Sequence, residues 1–337
     1  MYEYKSIVFI EGIEHKRFLT TYIEILERIG EPYLVVSFED LNLNHEKFKQ
    51  LSFKTISRKD LINFALNVKA KIFITTTPGI GNVYFPSSKA MPSESRPKYI
   101  YVFHSLVSPN NIYLKNSFKN YDLIFSPNHI ITEQLKFLTK KSSIHTTGYP
   151  LFSSQVKKTN KLANTILIAP SWGKKNLLSD PNLLNVYINY FISKKLKIVL
   201  RPHPMELEKI KDVTYIDGKS VNIDTNKELI DLHEYQYLMT DWSGIALEFF
   251  YYTKQPVLFS DSPKKIRRNL SYKEKNILLI EDLARKNFGF VLNINNKNLF
   301  DEINNFKMRS VSNKLFNDIF TPIFEMNKVQ KIFESLL

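Results

Sequence analysis

The chain has 337 residues, which suggests two domains, and its 43% hydrophobic and 13% aromatic residues can bury substantial cores, so a disordered protein is excluded. It contains no cysteine, which excludes a disulfide framework, a thiolate metal site and a cysteine nucleophile. The formal net charge of +14 predicts attraction to polyanions, namely nucleic acid, anionic lipid or phosphorylated substrates. The start lacks the pattern of a signal peptide and no run reaches the length of a membrane span, so we expect a cytoplasmic protein.

Short apolar runs alternate with helical patterns through the first half of the chain. The runs predict strands at 6–10, 33–38, 71–77, 98–103, 121–125 and 143–147. The helical patterns lie at 15–30, at 41–68 in two pieces, and at 130–139. This alternation is typical of a parallel sheet in a doubly wound α/β domain, so we expect residues 1–152 to form one Rossmann-like domain.

The second half repeats this pattern after a polar stretch at 153–164, which we interpret as a linker. Strands are predicted at 165–169, 196–200, 213–216, 237–239 and 256–259. Helices are predicted at 181–192, at 227–235 and over much of 281–337. We expect residues 153–337 to form a second Rossmann-like domain, whose last helices can cross back to the first.

Polar residues stand at the ends of several predicted strands. They are His104, Ser171-Trp172, Arg201-Pro-His-Pro204 and Asp241-Trp-Ser-Gly244. Ligands of open α/β sheets bind at the carboxyl ends of the strands, so these residues are the candidates for a functional site. Two such domains that face each other across a cleft would bring the strand ends together.

The turn Arg201-Pro-His-Pro204 is the most specific of these features. Two prolines fix the backbone around His203 directly after a buried strand. Arg201 can bind a phosphate through two parallel hydrogen bonds, and His203 can donate a hydrogen bond to one. The alternative is a strand-ending turn with a histidine on the surface.

The stretch from Asp241 to Gly244 joins a predicted strand to a predicted helix. A helix that begins with Ser243-Gly244 at a strand end presents main-chain N–H groups, and such a helix start binds anions, phosphate in particular. The alternative is an ordinary turn in which Asp241 or Ser243 caps the helix.

His104 is the candidate general base, because imidazole titrates near neutral pH. The alternative is a partly exposed loop histidine. We assign no role to the histidines that fall within predicted helices or a strand, which are His15, His45, His129, His145 and His233. The histidines lack metal-ligand spacing, so we expect no metal, and the chain has no Walker A loop and no G-x-G-x-x-G motif.

Five pieces of the chain, in order, resemble motifs of the CDP-glycerol glycerophosphotransferase family. They are Thr147-Gly-Tyr-Pro150 for T-G-Y-P, Ile166-Leu-Ile-Ala-Pro-Ser-Trp172 for I-L-Y-A-P-T-W, Arg201-Pro-His-Pro204 for R-P-H-P, Asp241-Trp-Ser-Gly244 for D-Y-S-S, and Lys254-Gln-Pro-Val-Leu-Phe259 for K-P-I-I-F. The resemblance covers about residues 98 to 262 and is specific as an ordered set. Enzymes of this family polymerise or prime teichoic acids and related capsule polymers on a GT-B fold.

The resemblance implies the GT-B fold, with two doubly wound domains across a cleft, and a role for each matched residue. Arg201 and His203 would contact the donor diphosphate or stabilise charge on the transferred phosphate. Ser243 and Gly244 would bind the same phosphates, in a turn ordered by Asp241. His104 would be the base, and the candidates on the nucleotide side are Ser171, Trp172 and Pro204.

The chain departs from the family pattern at three points. His104-Ser-Leu-Val107 stands in place of H-G-T-P, and Gly244 replaces the second serine of D-Y-S-S. Leu151-Phe-Ser-Ser154 stands where the family has Arg-x-Asp. These differences fit a diverged member whose donor or acceptor differs.

The resemblance therefore implies a transferase of bacterial surface-polymer synthesis, for teichoic acid-like or capsule polymers. It would move a polyol phosphate from a CDP-activated donor to an acceptor hydroxyl, with no cofactor besides that nucleotide-activated donor. The expected partners are a lipid-linked or glycan acceptor and the anionic inner face of the cell membrane, where the protein would be peripheral.

Three alternatives remain open at this stage. A GT-B glycosyltransferase would use a nucleotide-sugar donor to build capsule or lipopolysaccharide glycan, and a nucleotide-sugar epimerase would convert the donor without an acceptor. A non-catalytic polyanion-binding module would fit the net charge, although the chain has no motif for specific nucleic-acid binding.

Overall fold

The computed structural model describes residues 4–44, 46–67, 69–79, 96–114, 116–153, 162–212, 221–227, 230–264, 278–296, 298–306 and 313–337. The chain divides into two compact units. Unit 1 comprises 1–105, 112–155 and 317–337, and unit 2 comprises 106–111 and 156–316. The sequence analysis expected a single boundary after residue 152. In the structure, residues 106–111 group with unit 2 and residues 317–337 group with unit 1.

The described residues of unit 1 contain a sheet of seven parallel strands. The strands are β1 (Ser6–Ile10), β2 (Tyr33–Ser37), β3 (Leu51–Thr55), β4 (Ile72–Thr75), β5 (Lys98–Val102), β6 (Leu123–Ser126) and β7 (Ser143–Thr146). Their order is β3-β2-β1-β4-β5-β6-β7. Strands β2 and β3 are added on one side of β1, and β4 to β7 are added on its other side. All their carboxyl ends therefore meet at one edge, where ligands of such sheets bind.

In the described residues of unit 2, six parallel strands form the sheet. The strands are β8 (Leu162–Ile168), β9 (Lys197–Leu200), β10 (Val221–Ile223), β11 (Tyr235–Thr240), β12 (Val257–Phe259) and β13 (Gly289–Val291). Their order is β10-β9-β8-β11-β12-β13, which is again doubly wound. The ends of β9, β8 and β11 are consecutive along the carboxyl edge.

Helices join the strands and cover the sheets. They are α1 (Ile13–Ile29), α2 (Leu61–Asn67), α3 (Pro109–Ile112), α4 (His129–Leu138), α5 (Pro181–Ser193), α6 (Ile245–Thr253), α7 (Ile280–Asn287), α8 (Leu299–Asn304), α9 (Asn313–Phe320) and α10 (Met326–Leu336). None of the described helices is both long enough and apolar enough to cross a membrane.

Helix α10 completes the core of unit 1. Its Phe333 is buried, and the Phe333 ring lies 5.8 Å from that of Phe125 on β6 and 6.4 Å from that of Tyr22 on α1. Helix α1 ends at Gly30, which has a φ of 81° and donates its N–H to Leu26 O at 3.2 Å. Glycine adopts this left-handed conformation without steric cost, and the helical pattern predicted at 15–30 is confirmed as α1.

The T-G-Y-P motif has a structural role in unit 1. Gly148 has a φ of 89°, and a Cβ at this position would lie 2.5 Å from Pro322 O. The preceding residue, Thr147, accepts a hydrogen bond at its carbonyl from Glu325 N at 2.7 Å. Glycine therefore lets the chain between α9 and α10 pack directly on the end of β7.

The prediction of two helical pieces at 41–68 is wrong in its first part. Residues Leu51–Thr55 form β3, which pairs with β2 in parallel at the edge of the sheet, and only Leu61–Asn67 are helical. The sequence Leu51-Ser-Phe-Lys-Thr55 alternates apolar and polar residues, which is the period of a half-exposed strand.

Two further differences concern unit 2. The predicted helix at 227–235 is wrong, because Leu232–Glu234 form a single 3₁₀ turn and β11 already begins at Tyr235. The predicted strand at 213–216 and most of the linker at 153–164 lie outside the described residues. The predicted helix at 181–192 is confirmed as α5, whose N-cap Asp180 accepts a hydrogen bond from Leu183 N at 3.0 Å.

Candidate active site

Asp241, at the end of β11, organises the carboxyl edge of unit 2. Its side chain is fully buried and accepts hydrogen bonds from three main-chain N–H groups. Oδ1 accepts from Ser171 at 2.8 Å and Trp242 at 2.6 Å, and Oδ2 accepts from Leu177 at 3.0 Å. The carboxylate thus fixes the loop after β8 to the loop after β11. Its loss would leave three main-chain donors without this acceptor, two of them in buried contacts.

The turn after Asp241 leads into helix α6. Gly244 precedes the helix and has no side chain to cap it, and the Ser243 Oγ accepts a long hydrogen bond of 3.5 Å from Ile245 N. Gly244 has an ordinary φ of −64°, but a Cβ on it would lie 3.1 Å from the main-chain nitrogen of Leu106. Glycine is therefore favoured here by the close approach of another segment. The N–H groups of Ala246 and Leu247 donate to Ser243 O and Gly244 O, whereas those of Ser243 and Gly244 donate to no group among the described residues and remain as donors at the carboxyl edge.

The turn after β9 carries Arg201 and His203. Arg201 Nη1 donates to Asp224 Oδ2 at 2.6 Å, so the end of β10 holds the guanidinium at the strand edge. The His203 Nδ1 accepts a hydrogen bond from Met205 N at 3.2 Å. Neutral His203 therefore carries its proton on Nε2, which makes that nitrogen a hydrogen-bond donor.

The candidates for the nucleotide side lie beside this turn. The Trp172 ring lies 6.2 Å from the His203 ring, and Ser171 is buried. Pro204 begins a 3₁₀ helix at Pro204–Asp212, and Glu206 within it accepts the Gly173 N–H at 2.7 Å. The loops after β8 and β9 are thus joined through Trp172 and Glu206.

Helix α7 carries two residues that the sequence analysis missed, Glu281 and Arg285. Arg285 lies 4.3 Å above the Trp242 ring and donates to Asp241 O at 3.3 Å and Ser260 O at 2.9 Å. It therefore binds the ends of β11 and β12 together. The two residues are four apart and therefore share one face of α7. This spacing could not identify them from the sequence, because the same spacing of charged residues is common in solvent-exposed helices.

Glu281 is buried and accepts three hydrogen bonds from the segment 106–111. The donors are Ser108 N at 3.0 Å, Ser108 Oγ at 2.5 Å and Asn111 Nδ2 at 3.3 Å. Burial raises the pKa of Glu281, and the hydrogen bonds from Ser108 and Asn111 act against this rise.

On unit 1, His104 follows β5 at the carboxyl edge. Its Nδ1 lies 3.4 Å from Tyr101 Oη, and Tyr101 donates its hydroxyl proton to Tyr113 at 2.9 Å. With that proton direction the Tyr101 oxygen accepts from His104 Nδ1, so the lone pair of the imidazole is on Nε2. Tyr149 donates to His104 O at 3.4 Å, which fixes the main chain beneath the ring.

His15, which the sequence analysis left without a role, lies beside His104. The two ring centroids are 5.0 Å apart, and the pKa of His15 is lowered by burial, against the opposing effect of Glu14 and Glu11. Nearby, Thr77 Oγ1 donates to Glu11 Oε2 at 3.0 Å. No sequence signal identifies His15, because the register of β1, β4 and β5 creates this neighbourhood.

The structure therefore brings most of the sequence candidates together. On unit 2, the ends of three neighbouring strands carry Ser171, Trp172, Arg201, His203, Pro204, Asp241, Ser243 and Gly244. His104 lies on the carboxyl edge of unit 1, with His15.

Comparison with solved structures shows the fold. The wall teichoic acid polymerase TagF is 16% identical, with a TM-score of 0.58 over 98% of this chain and 88% of that chain. A Methanocaldococcus jannaschii UDP-GlcNAc 2-epimerase is 12% identical, with a TM-score of 0.61 over 99% and 100%. S. aureus MnaA in a structure with UDP is 13% identical, with a TM-score of 0.57 over 100% and 98%.

These likenesses confirm the predicted α/β fold of the GT-B class. A search of curated protein sequences finds no match. The sequence model of the CDP-Glycerol:Poly(glycerophosphate) glycerophosphotransferase family matches residues 42–335, which is most of the chain, and the chain therefore belongs to this family.

Proposed function

We propose that the protein is a transferase of bacterial surface-polymer synthesis, which moves a polyol phosphate from a CDP-activated donor to an acceptor hydroxyl. Family membership supports this reaction, and a TagF variant soaked with CDPG is among the similar structures. The observation that carries the proposal is the buried Asp241 carboxylate, whose three N–H contacts fix the loops after β8 and β11.

The donor diphosphate binds at the start of α6. Main-chain N–H groups at Ser243 and Gly244 and the positive end of the helix dipole attract it, and the Nε2 proton of His203 donates to a phosphate oxygen. Arg201, which Asp224 holds at the edge of the sheet, adds a planar guanidinium whose geometry matches a phosphate. Such fixed donors stabilise negative charge that develops on the transferred phosphate.

The acceptor hydroxyl is activated by His104. Its Nε2 takes the hydroxyl proton, the oxygen forms a bond to the phosphorus, and the bond from that phosphorus to the CMP oxygen breaks with its electron pair. Tyr101 orients the imidazole through Nδ1. His15 is an uncharged neighbour of this base, because burial lowers the pKa of His15. A second cation at this position would oppose the protonation of His104.

The acceptor is a glycan or polymer carried at the inner face of the cell membrane, and the protein is peripheral there. The net charge of +14 supports attraction to anionic lipid. Salt-sensitive binding to vesicles that contain anionic lipid, and no binding to neutral vesicles, is the expected result.

The experiment that tests the reaction is a calorimetric panel of CMP, CDP, CDP-glycerol, UDP and GDP against the purified protein. We expect cytidine nucleotides to bind most tightly, and Ser243→Ala and His203→Ala to weaken that binding. Transfer of glycerol phosphate from CDP-glycerol to an oligomeric glycerol phosphate acceptor should then release CMP.

The same panel separates the alternatives. Preference for UDP or GDP would overturn the CDP donor and favour a sugar transferase, and conversion of a UDP-sugar without acceptor would favour an epimerase. Binding of random DNA without any nucleotide binding would favour a polyanion-binding module.

A further inference from the structure

The segment Leu106–Asn111 follows His104 closely in the chain but belongs to unit 2. Its main chain lies directly against the first turn of α6. A Cβ on Gly244 would lie 3.1 Å from the nitrogen of Leu106 and 3.3 Å from its carbonyl carbon and oxygen. The segment therefore forms one wall of the helix start at which the donor phosphates are proposed to bind.

The N–H of Leu106 has no acceptor among the described residues, although Leu106 is only 1% exposed. The neighbouring N–H of Gly244 likewise donates to no group in the described part of the chain. Buried main-chain donors without an acceptor are rare in folded proteins. The N–H of Leu106 is such a buried donor, and it lies close to the partly exposed Gly244 at the start of a helix, where an anion is favoured.

Glu281 fixes this segment from the other side. Its carboxylate accepts from Ser108 N, Ser108 Oγ and Asn111 Nδ2, which belong to the same segment. The Ser108 hydroxyl accepts from Ile280 N at 2.9 Å, so its own proton is directed to Glu281. Ser108 is thereby held at its main chain and at its side chain, two residues after Leu106.

We propose that the main-chain N–H of Leu106 is a further hydrogen-bond donor to the donor phosphates, and that Glu281 is the positioning residue that holds it beside Gly244. This inference rests on the proposed function, because it adds a group to the same phosphate site. Glu281 itself touches no substrate, since its carboxylate oxygens are occupied by Ser108 and Asn111.

The charge of Glu281 is compatible with a phosphate site. Three donors from the segment offset part of its negative potential, and Arg285 stands one turn later on α7. Arg285 donates to Asp241 O and Ser260 O, so the same helix also holds the turn that precedes Gly244. Helix α7 thus positions both walls of the helix start.

The test is to follow main-chain amide resonances of the whole protein by NMR while inorganic pyrophosphate or CDP is added. The amides of Leu106 and Gly244 should both shift downfield and saturate together. Glu281→Gln should weaken the affinity for both probes about tenfold, as expected for one hydrogen bond to a charged group. It should also remove the downfield shift of Leu106 while that of Gly244 remains.

Asp282→Asn is the matched control, because Asp282 neighbours Glu281 on α7 but pairs with Lys264 instead. It should leave the affinity and both amide shifts unchanged. Should Glu281→Gln fail to fold, Ser108→Ala removes only the hydroxyl link to Glu281 and Ile280 and should produce the same loss in weaker form.

Two outcomes would overturn the inference. One is a Gly244 amide that responds to CDP while the Leu106 amide stays in place, which would leave the proposed function intact. The other is a Glu281→Gln protein that folds and binds both probes as tightly as the unchanged protein. If no amide of unit 2 responds and no nucleotide binds, the proposed function fails together with this inference.

Discussion

The carboxyl edges of the two sheets carry different chemistry, although both sheets are parallel and doubly wound. On unit 2 the edge presents main-chain N–H groups at the start of α6, with His203 as a further donor. On unit 1 the edge presents the rings of His104, His15 and Tyr101. The first arrangement suits an anion and the second suits the removal of a proton from a hydroxyl.

Under the proposed function, one shared architecture divides two tasks between the two units. The sheet decides only where ligands bind, since strand ends and helix starts lie at the same edge in both units. The residues that follow each strand decide what binds there. On unit 2 the residue after β11 is the buried carboxylate of Asp241, which orders N–H groups, whereas on unit 1 His104 follows β5 closely.

The sharpest way to break this division is His104→Ala. We expect kcat to fall about 1000-fold, the contribution of a positioned general base. The affinity for CDP-glycerol should stay unchanged, because the donor is proposed to bind on unit 2. Steady-state kinetics and calorimetry on the same preparation measure both quantities. His129→Ala, an exposed histidine at the start of α4, is the control and should retain full activity. A matching loss of donor affinity would contradict the division of tasks.

The corresponding change on unit 2 is His203→Ala. It removes the Nε2 proton that is proposed to donate to a phosphate, so we expect the transfer rate to fall about 100-fold and the donor affinity to fall with it. The control is His233→Ala, whose ring lies 5.7 Å from that of Tyr252, and this variant should bind CDP-glycerol normally. A His203→Ala protein with unchanged donor affinity would remove His203 from the phosphate site.

Alanine substitution of one glycine in each unit should affect the free energy of unfolding to different extents. Gly148→Ala on unit 1 forces a positive φ on alanine and a Cβ into Pro322 O, so we expect the free energy of unfolding to fall by about 2–3 kcal/mol. Gly244→Ala on unit 2 keeps an ordinary φ and displaces only the main chain of Leu106. It should therefore lower the free energy of unfolding by about 1 kcal/mol, and it should also weaken CDP binding. Urea denaturation gives the first quantity and calorimetry the second. Equal effects of both substitutions on both quantities would contradict this reading.

Sequence patterns predicted the fold and the unit 2 candidates for one physical reason. Buried parallel strands read as short apolar runs, and the residues that end them follow directly in the chain, as in Arg201-Pro-His-Pro204. The edge strand β3 was missed because half-exposed strands contain fewer apolar residues and Leu51-Ser-Phe-Lys-Thr55 also fits a helical surface.

Residues whose surroundings come from distant parts of the chain could not be predicted. Glu281 acquires its partners from Ser108 and Asn111, which are 173 and 170 residues away. His15 meets His104 only because β1, β4 and β5 lie side by side. Sequence spacing contains no information on such contacts, so the role of each residue depends on the folded structure.

The smallest expected effect concerns how the free energy of unfolding changes with pH, to which buried His15 on unit 1 and buried Glu281 on unit 2 both contribute. Burial lowers the pKa of His15 below its ordinary value of 6.5, so below pH 6.5 the unfolded chain binds a proton that the folded chain does not, and stability falls on acidification. Burial raises the pKa of Glu281 above 4.5, so above pH 4.5 the folded chain retains a proton longer than the unfolded chain, and stability falls as pH rises. The two groups therefore contribute opposite slopes.

His15→Gln should flatten the loss of unfolding free energy on the acid side of pH 6.5, by at most about 1.4 kcal/mol per pH unit, the limit for one proton. The groups that face His15 are Glu14, Glu11 and Arg17 on its own segment and His104 from the end of β5, and they remain in this variant. Glu281→Gln should change the slope in the opposite sense above pH 4.5. Urea denaturation at intervals between pH 4.5 and 7.5 measures both. A change of slope in the same direction in both variants would contradict the opposite pKa shifts of His15 and Glu281.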